Sequence, residues 1–153
     1  MGVRLGMEGK LYRNTGTYAA PVWQEIGNVK DLTLNLEKGE ADVTTRANGG
    51  WRSTVATLKE GSIEFSMVWD TSDPGFTAIK DAWFNNTPVE MAVLDGPVNV
   101  PGSQGLRASF AVIKFGREEN LEEAMNVPVS LKPTYAANPP EWMVVPAAPP
   151  PGP

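Results

Sequence analysis

Apolar and polar residues alternate over three separate stretches of the chain. The alternation runs through residues 32–37 and 62–69 and returns at residues 127–131. In the second stretch the apolar phase consists of Ile63, Phe65, Met67 and Trp69. A period of two residues is typical of a β-strand with one buried and one solvated face. We therefore predict three strands whose apolar phase faces a core.

Two further segments are apolar on both faces. Residues 89–94 and 108–115 contain few polar side chains. A continuous apolar run of this length is typical of a central strand that is covered on both sides. The turns between the predicted strands are marked by Gly39, Gly49-Gly50, Asp95-Gly96-Pro97 and Pro101-Gly102.

One segment predicts an α-helix. Asp73 can cap the N-terminus with its carboxylate, and Pro74 suits the first helical position. Phe76, Ile79 and Trp83 follow at spacings that place them on one face. The polar sequence at 85–88 ends the helix. We therefore expect an amphipathic helix that buries all three of these side chains against the core.

These elements predict a mainly β fold, an antiparallel β-sandwich or barrel with one flanking α-helix. We expect one domain, residues 1–138, followed by a proline-rich C-terminal tail, residues 139–153. Seven of the fifteen tail residues are proline, so we expect an extended tail without a helix or a sheet ladder. The apolar residues 142–145 leave two interpretations, a disordered tail or a segment that docks onto a neighbouring subunit.

The chain contains no cysteine and no histidine. These absences exclude disulfides, cysteine and histidine metal ligands, and the Ser-His-Asp and Cys-His arrangements of nucleophilic enzymes. We therefore expect a protein that is not an enzyme and has no catalytic residues, cofactor or metal site. The formal net charge of −5 argues against a protein that grips nucleic acid by its phosphates, because such binding needs a basic face.

Hydropathy gives no sign of a membrane partner. No stretch approaches the length of a membrane-spanning helix, and the N-terminus lacks the apolar core of a signal peptide. We therefore expect a soluble protein that is made in the cytoplasm.

Two acidic groups suggest possible ion sites. The sequence Asp70-Thr71-Ser72-Asp73 lacks the ligand spacing of a calcium loop, so we assign Asp73 to helix capping. A second group contains Glu118, Glu119, Glu122 and Glu123. Clustered like charges are usually solvated. We expect this group to lie in an exposed loop or in a salt-bridging surface between subunits.

Several segments in a fixed order resemble the tail tube proteins of tailed phages and prophages. The similarity begins with GKLYRNTGTY at 9–18 and WQEI at 23–26. It continues with VKDL at 29–32, LNLE at 34–37, RANGGWR at 46–52, IEF at 63–65 and WD at 69–70. It ends with REENLEEA at 117–124 and VSLKPT at 129–134. Its specificity comes from the order and spacing of these pieces.

The resemblance implies a β-sandwich with a flanking helix that assembles into stacked hexameric rings, whose strands join into one inner barrel. It implies a structural subunit of a virion tail that is assembled in the host cytoplasm. The implied partners are further copies of the chain and other tail proteins, such as a terminator, a baseplate or tip, and a sheath in some tails. DNA would pass transiently through the lumen without specific binding.

A lumen that conducts DNA should be polar to negative, because a basic wall would retain the phosphates. An inner barrel also needs strands with one polar face towards the lumen and one apolar face on the subunit core. The polar phase of the first two alternating strands supplies the candidate lumen-facing residues Thr33, Asn35, Glu37, Glu64 and Ser66. The same face could instead be outer, solvent-exposed surface.

Two other functions are compatible with the same pattern. The first is a tube or terminator ring of a related contractile injection system, which would use the same assembly physics. The second is a monomeric β-sandwich binding module, with tryptophans as stacking platforms for a carbohydrate. Trp51, in a glycine-rich loop, is the best candidate for such a platform. Indefinite stacking would distinguish a tube from a terminator, and a monomer retained at high concentration would favour the binding module.

Overall fold

The described part of the protein folds into an eight-stranded antiparallel sheet with one α-helix and two short 3-10 helices, Gly6–Glu8 and Arg46–Asn48. The computed structural model describes residues 3, 5–119, 121–122 and 124–146. In chain order the elements are β1 (Lys10–Asn14), β2 (Trp23–Glu25), β3 (Val29–Asp42), β4 (Thr54–Val68), α1 (Pro74–Asn85), β5 (Val89–Leu94), β6 (Gln104–Phe115), β7 (Asn126–Pro133) and β8 (Glu141–Val144). The sheet order is β2-β1-β5-β6-β7-β4-β3, and β8 pairs with β6. The predicted mainly β fold with a flanking helix is confirmed.

The core begins with the apolar phase of β4. Ile63, Phe65 and Met67 are buried, as the alternation predicts. Their partners on β7 are Leu131, Val129 and Val127, which lie directly opposite them and are also buried. Directly opposed side chains in an antiparallel pair share a face and pack against each other. Burial of these six apolar side chains therefore fixes the register of β4 against β7.

The sheet wraps around this core. Leu11 of β1 and Ile63 of β4 belong to the same buried cluster, although β5, β6 and β7 lie between their strands in the sheet. Strand β2, at one end of the sheet order, ends at Glu25, and β3, at the other end, begins at Val29, so only three residues connect the two ends. The two ends of the sheet therefore approach each other over the core.

Strand β6 is the centre of the sheet. It pairs with β5 through residues 105–110, with β7 through residues 110–115, and with β8 through residues 104–107. Gly105 allows β5 to approach closely, because a Cβ at this position would lie 1.5 Å from the carbonyl oxygen of Val93. Any side chain at residue 105 would therefore force β5 and β6 apart.

Helix α1 covers the core from outside the sheet, against β5 and β6. Its cap is the predicted one, because the Asp73 carboxylate accepts a hydrogen bond of 3.0 Å from the Phe76 N–H. Phe76 and Ile79 are buried, but the prediction for Trp83 is wrong, since this side chain is 44% exposed. Trp83 lies in the last turn, where Ala82 takes the inward position and the Trp83 ring rests against Phe84. No helix in the described part is both long and apolar enough to cross a membrane.

The C-terminal segment contains a strand that the sequence analysis did not expect. Strand β8 lies between Pro140 and Pro146, where no proline interrupts the row of N–H donors. It pairs with β6, and Val145 is buried beside Tyr12, Ala92 and Leu94. The expectation of a segment without a sheet ladder was therefore wrong for residues 141–144. Residues 147–153 lie outside the described residues, and the domain boundary at 138 stays a prediction.

A buried arginine connects β8 to the rest of the fold. Arg107 on β6 contacts Glu90 on β5 at 2.7 Å and lies 3.8 Å from Glu141 on β8. Its guanidinium also donates to the carbonyl oxygen of Tyr18 at 2.8 Å and lies over the ring of that residue. A side-chain hydrogen bond with Glu141, followed by burial, raises the pKa of the Tyr18 phenol. This cluster joins the β1–β2 loop, β5, β6 and β8.

Candidate assembly surface

One face of the sheet is polar across four neighbouring strands. Thr33 on β3 lies opposite Glu64 on β4, which lies opposite Ser130 on β7, which lies opposite Lys114 on β6. Opposed residues in antiparallel strands point to the same face, so these four side chains form one row. The neighbouring residues of β4 and β7 point the other way, into the core. We call this surface the polar face.

The structure brings the five candidate residues together on the polar face. Thr33, Asn35, Glu37 and Glu64 are exposed, and Ser66 is half-buried. Thr33, Glu64 and Ser66 line a shallow depression of about 340 Å³. Asn35 lies opposite Ser62, and Glu37 lies opposite Glu60. Their position on one common face is therefore established, whereas their orientation towards a lumen stays a prediction.

Sequence reasoning missed several members of the polar face. The additional side chains are Lys30, Glu60, Ser62, Lys114, Ser130 and Lys132. The alternation at 127–131 already contained the signal for Ser130, because the positions between its apolar residues must point to the opposite face. Lys114 could not be found in this way, since a register shift between Val112 and Lys114 breaks the alternation of β6. Acidic and basic groups are therefore mixed on this face.

The four-stranded unit β3-β4-β7-β6 has an unpaired edge on each side. Strand β3 is the last strand of the sheet order, so its outer edge has no partner in the described chain. On the other side, β5 pairs with β6 only as far as Phe110. Residues 111–115 of β6 therefore pair with β7 on one edge and with no described strand on the other. Unpaired edges are templates for pairing with another chain.

The outer halves of β3 and β4 form a two-stranded ribbon, residues 37–60, which we call the arm. Almost every residue of the arm is exposed, whichever face of the ribbon its side chain lies on. A register shift between Lys38 and Glu40 marks a bulge close to its root. The arm exposes large apolar side chains, namely Val43, Trp51, Val55 and Leu58. An isolated two-stranded ribbon is marginally stable in water, so this arm is suited to contact with another chain.

The opposite end of the sheet is acidic. Strand β6 ends at Phe115, and the connection to β7 exposes Glu118, Glu119 and Glu122. Glu123 lies outside the described residues. Glu119 is 3.2 Å from Arg117, whose guanidinium lies over the ring of Trp69. The expected exposed acidic loop is therefore present, and nowhere in the described part do three or more acidic residues form a group that could hold a metal ion.

The chain is similar to known proteins in both sequence family and fold. A family model described as phage tail tube protein matches residues 11–134. No curated protein sequence matches the chain. The fold is similar to the tail of an empty gene transfer agent particle with C6 symmetry, with a TM-score of 0.71 and 13% identity over 93% of this chain and 98% of that one.

Two further solved structures share the fold. The SPP1 tail tube has a TM-score of 0.68 and 16% identity, over 85% of this chain and 75% of that chain. The baseplate of the anti-feeding prophage contains a chain with a TM-score of 0.63 and 7% identity, over 95% and 98% of the two chains. At these identities the similarity to solved structures concerns the fold alone.

Proposed function

The chain belongs to the phage tail tube protein family, and from this premise we propose that its copies close into rings, stack into a hollow tube and let DNA pass through the lumen. The family is one of structural proteins, and its members are part of the tail of the virion. The proposal gives the chain a structural role without catalysis. The observation that carries it is the pair of unpaired edges on the unit β3-β4-β7-β6.

The two edges suit pairing between copies. Each neighbouring pair within the unit is antiparallel, so strand direction alternates from β3 to β6. Because the unit has an even number of strands, the β3 edge of one copy runs antiparallel to the β6 edge of the next. Repetition of this contact closes a fully antiparallel barrel and removes both exposed edges. The contact is head-to-tail, which generates a ring when the rotation closes.

Sixfold closure would give a wide channel. The similar gene transfer agent tail has C6 symmetry. Six copies of a four-stranded unit would contribute about 24 strands, and barrels of 16 to 18 strands already leave an aqueous channel. The polar face would then line the lumen, because the core and α1 cover the other face of these strands. Thr33, Asn35, Glu37, Glu64 and Ser66 are the lumen-facing residues in this arrangement.

The charge of the polar face suits passage of DNA. A uniformly basic wall would neutralise phosphates and hold the duplex. Here Glu37, Glu60 and Glu64 share the face with Lys30, Lys114 and Lys132. The whole chain carries a net charge of −5. Weak average attraction to phosphate is therefore expected, so that DNA slides without specific binding.

In the proposed tube, further partners lie at the two ends and on the outside. A terminator closes one end, a baseplate or tip occupies the other, and a contractile tail adds a sheath. A tube of a related contractile injection system remains the second candidate function. The similarity in fold to a chain of the anti-feeding prophage baseplate favours it.

A cross-linking experiment tests the edge contact. Thr33 and Lys114 lie at the two ends of one row, three strand spacings or about 14 Å apart, which is too far for a disulfide within one copy. The chain has no native cysteine. Thr33→Cys combined with Lys114→Cys should therefore form disulfides only between copies. Asn35→Cys combined with Lys114→Cys tests an alternative register, in which β3 of one copy is shifted by two residues along β6 of the next.

We expect oxidation of assembled protein to give a ladder of cross-linked species that ends at the size of the ring, six copies. The matched control combines Thr33→Cys with Lys80→Cys, which places one cysteine on α1 and should give no ladder. The proposed edge contact would be contradicted if electron microscopy showed tubes while both variants with a cysteine on each edge stayed monomeric after oxidation.

A further inference from the structure

The root of the arm carries two pairs of like charges. Lys38 lies directly opposite Lys59, and Glu37 lies directly opposite Glu60. Like charges in directly opposed positions destabilise an antiparallel pair. None of these four residues forms an ion pair with another residue of the described ranges. The two lysines therefore have no ion-pair partner among the described residues of the isolated subunit, although Glu141 of β8 lines the same cavity.

The lysine pair points away from the polar face. Successive side chains of a strand alternate between its faces, so Lys38 and Lys59 lie on the side opposite Glu37 and Glu60. In the proposed ring this side faces outwards from the lumen. DNA in the lumen is therefore not the counter-charge of the lysine pair.

A suitable counter-charge lies at the other end of the sheet. The arm extends β3 and β4 beyond Gly61, whereas the acidic loop follows the opposite end of β6. The end of β4 that is far from the arm lies beside this loop. Val68 at that end pairs with Asn126, the first residue of β7, and the acidic loop leads directly into β7. Glu118 and Glu122 are exposed there, and neither forms an ion pair with a described residue.

Stacking of identical rings in one direction would bring these two ends together. We propose that Lys38 and Lys59 of a copy in one ring bind the acidic loop, through Glu118 and Glu122, of a copy in the next ring. The partner is thus a second copy of this chain, and the inference rests on the proposed function. Complementary charges would also disfavour a reversed ring, because two acidic ends facing each other would place like charges together.

The counter-charge matters because the subunits repel each other overall. Each copy has a net charge of −5, and cations at the contact between rings would reduce the resulting repulsion between copies. The lysine pair supplies two cations per copy at that position. Each subunit of a ring would make this lysine–glutamate contact with the next ring. The contacts around the circumference therefore act together as one multivalent interaction.

Charge reversal tests this contact. Lys38→Glu combined with Lys59→Glu should leave rings intact, because the edge contacts of β3 and β6 are unchanged. We expect the mean tube length in electron micrographs to fall about tenfold or more, since the reversed charges would place like charges opposite each other at every contact between rings. The matched control compares two single variants, Lys59→Glu and Lys80→Glu, which change the net charge equally. Lys80 lies on α1 and not on the arm, so Lys80→Glu should keep tubes of normal length.

Charge exchange provides the second arm of the test. Adding Glu118→Lys and Glu122→Lys to the double lysine variant should restore long tubes, because the two ends are then complementary again. Tubes of normal length from the double lysine variant would overturn the inference, and so would failure of the charge exchange to restore stacking of intact rings. Absence of both rings and tubes from the unaltered protein would instead overturn the proposed function.

Discussion

The rings of Phe76 and Trp69 meet edge to face, with their centroids 4.8 Å apart. Phe76 belongs to the buried face of α1, and Trp69 follows directly after β4. The ring of Phe115, at the end of β6, also lies near Phe76, with the two ring centroids 5.8 Å apart. Edge-to-face pairs add to the stabilisation that comes from burial alone. The N-terminal half of α1 is therefore the part that holds the helix on the core.

This packing predicts different effects for two aromatic residues of the same helix. Phe76→Ala should lower the free energy of unfolding by about 3 to 5 kcal/mol, because it leaves a cavity in the core. Trp83→Ala should cost only about 1 kcal/mol, since much of that side chain is solvated. Urea denaturation of the unassembled subunit measures both. Equal losses would show that the last turn of α1 is held as firmly as the first.

Arg107 provides a second stability prediction. Arg107→Met would leave the carboxylate of Glu90 partly buried without its cation. Loss of one partner from a buried ion pair costs about 3 to 5 kcal/mol, and the partial exposure of Glu90 places our expectation at the lower end. Arg117→Met removes an exposed guanidinium and serves as the control, with an expected change within about 0.5 kcal/mol. An unchanged melting temperature for Arg107→Met would contradict the role of the cluster.

The C-terminal strand predicts where the chain can be shortened. A chain that ends at Pro146 keeps β8 and Val145, so its melting temperature should match that of the full chain. A chain that ends at Asn138 loses β8 and should be less stable by at least about 2 kcal/mol, the contribution of one buried valine side chain. Differential scanning calorimetry of both chains decides the position of the boundary. Equal stability would place it at 138, as the sequence analysis expected.

The elements that could be predicted from sequence are those with a local signature. The alternation around Ile63 and the Asp73 cap depend on neighbouring residues, and both are confirmed. Strand β1 was missed because Leu11 and Tyr12 are both buried, each in a different cluster, so the strand shows no alternation. Strand β8 was missed because the many prolines of the C-terminal segment argued against any strand. Residues 141–144 themselves contain no proline and can pair.

The assembly surface was only partly predictable for a related reason. The polar phase of β3 and β4 identified the five candidate residues, because side-chain direction in a strand follows from position alone. The unpaired edge at residues 111–115 depends on where β5 stops pairing with β6, which is a contact between distant parts of the chain. The opposed pair Lys38 and Lys59 depends on the bulge in the arm. Neither has a local sequence signature.

Reversal of charge on the polar face tests its orientation towards the lumen. Glu37→Lys combined with Glu64→Lys should leave assembly intact, since each exposed replacement costs no more than about 0.5 kcal/mol. Every ring would then present additional cations to the DNA, and delivery by particles with this tail should fall. The defect should weaken as the salt concentration rises, because salt screens contacts with phosphate.

The control for this experiment is Asp81→Lys on the outer side of α1, compared with Glu64→Lys alone. The two variants change the net charge equally, and only Glu64→Lys should impair delivery. Tails of normal appearance that deliver DNA normally with both glutamates replaced would show that these residues do not line the conduit.

Electron microscopy of the purified, unaltered protein over a range of concentrations tests the central claim most directly. Because the edge contact joins separate copies, its occupancy must rise with concentration. We predict rings with a central hole that average to sixfold symmetry, and stacks of such rings at higher concentration. A folded protein that stays monomeric at every concentration would contradict the account.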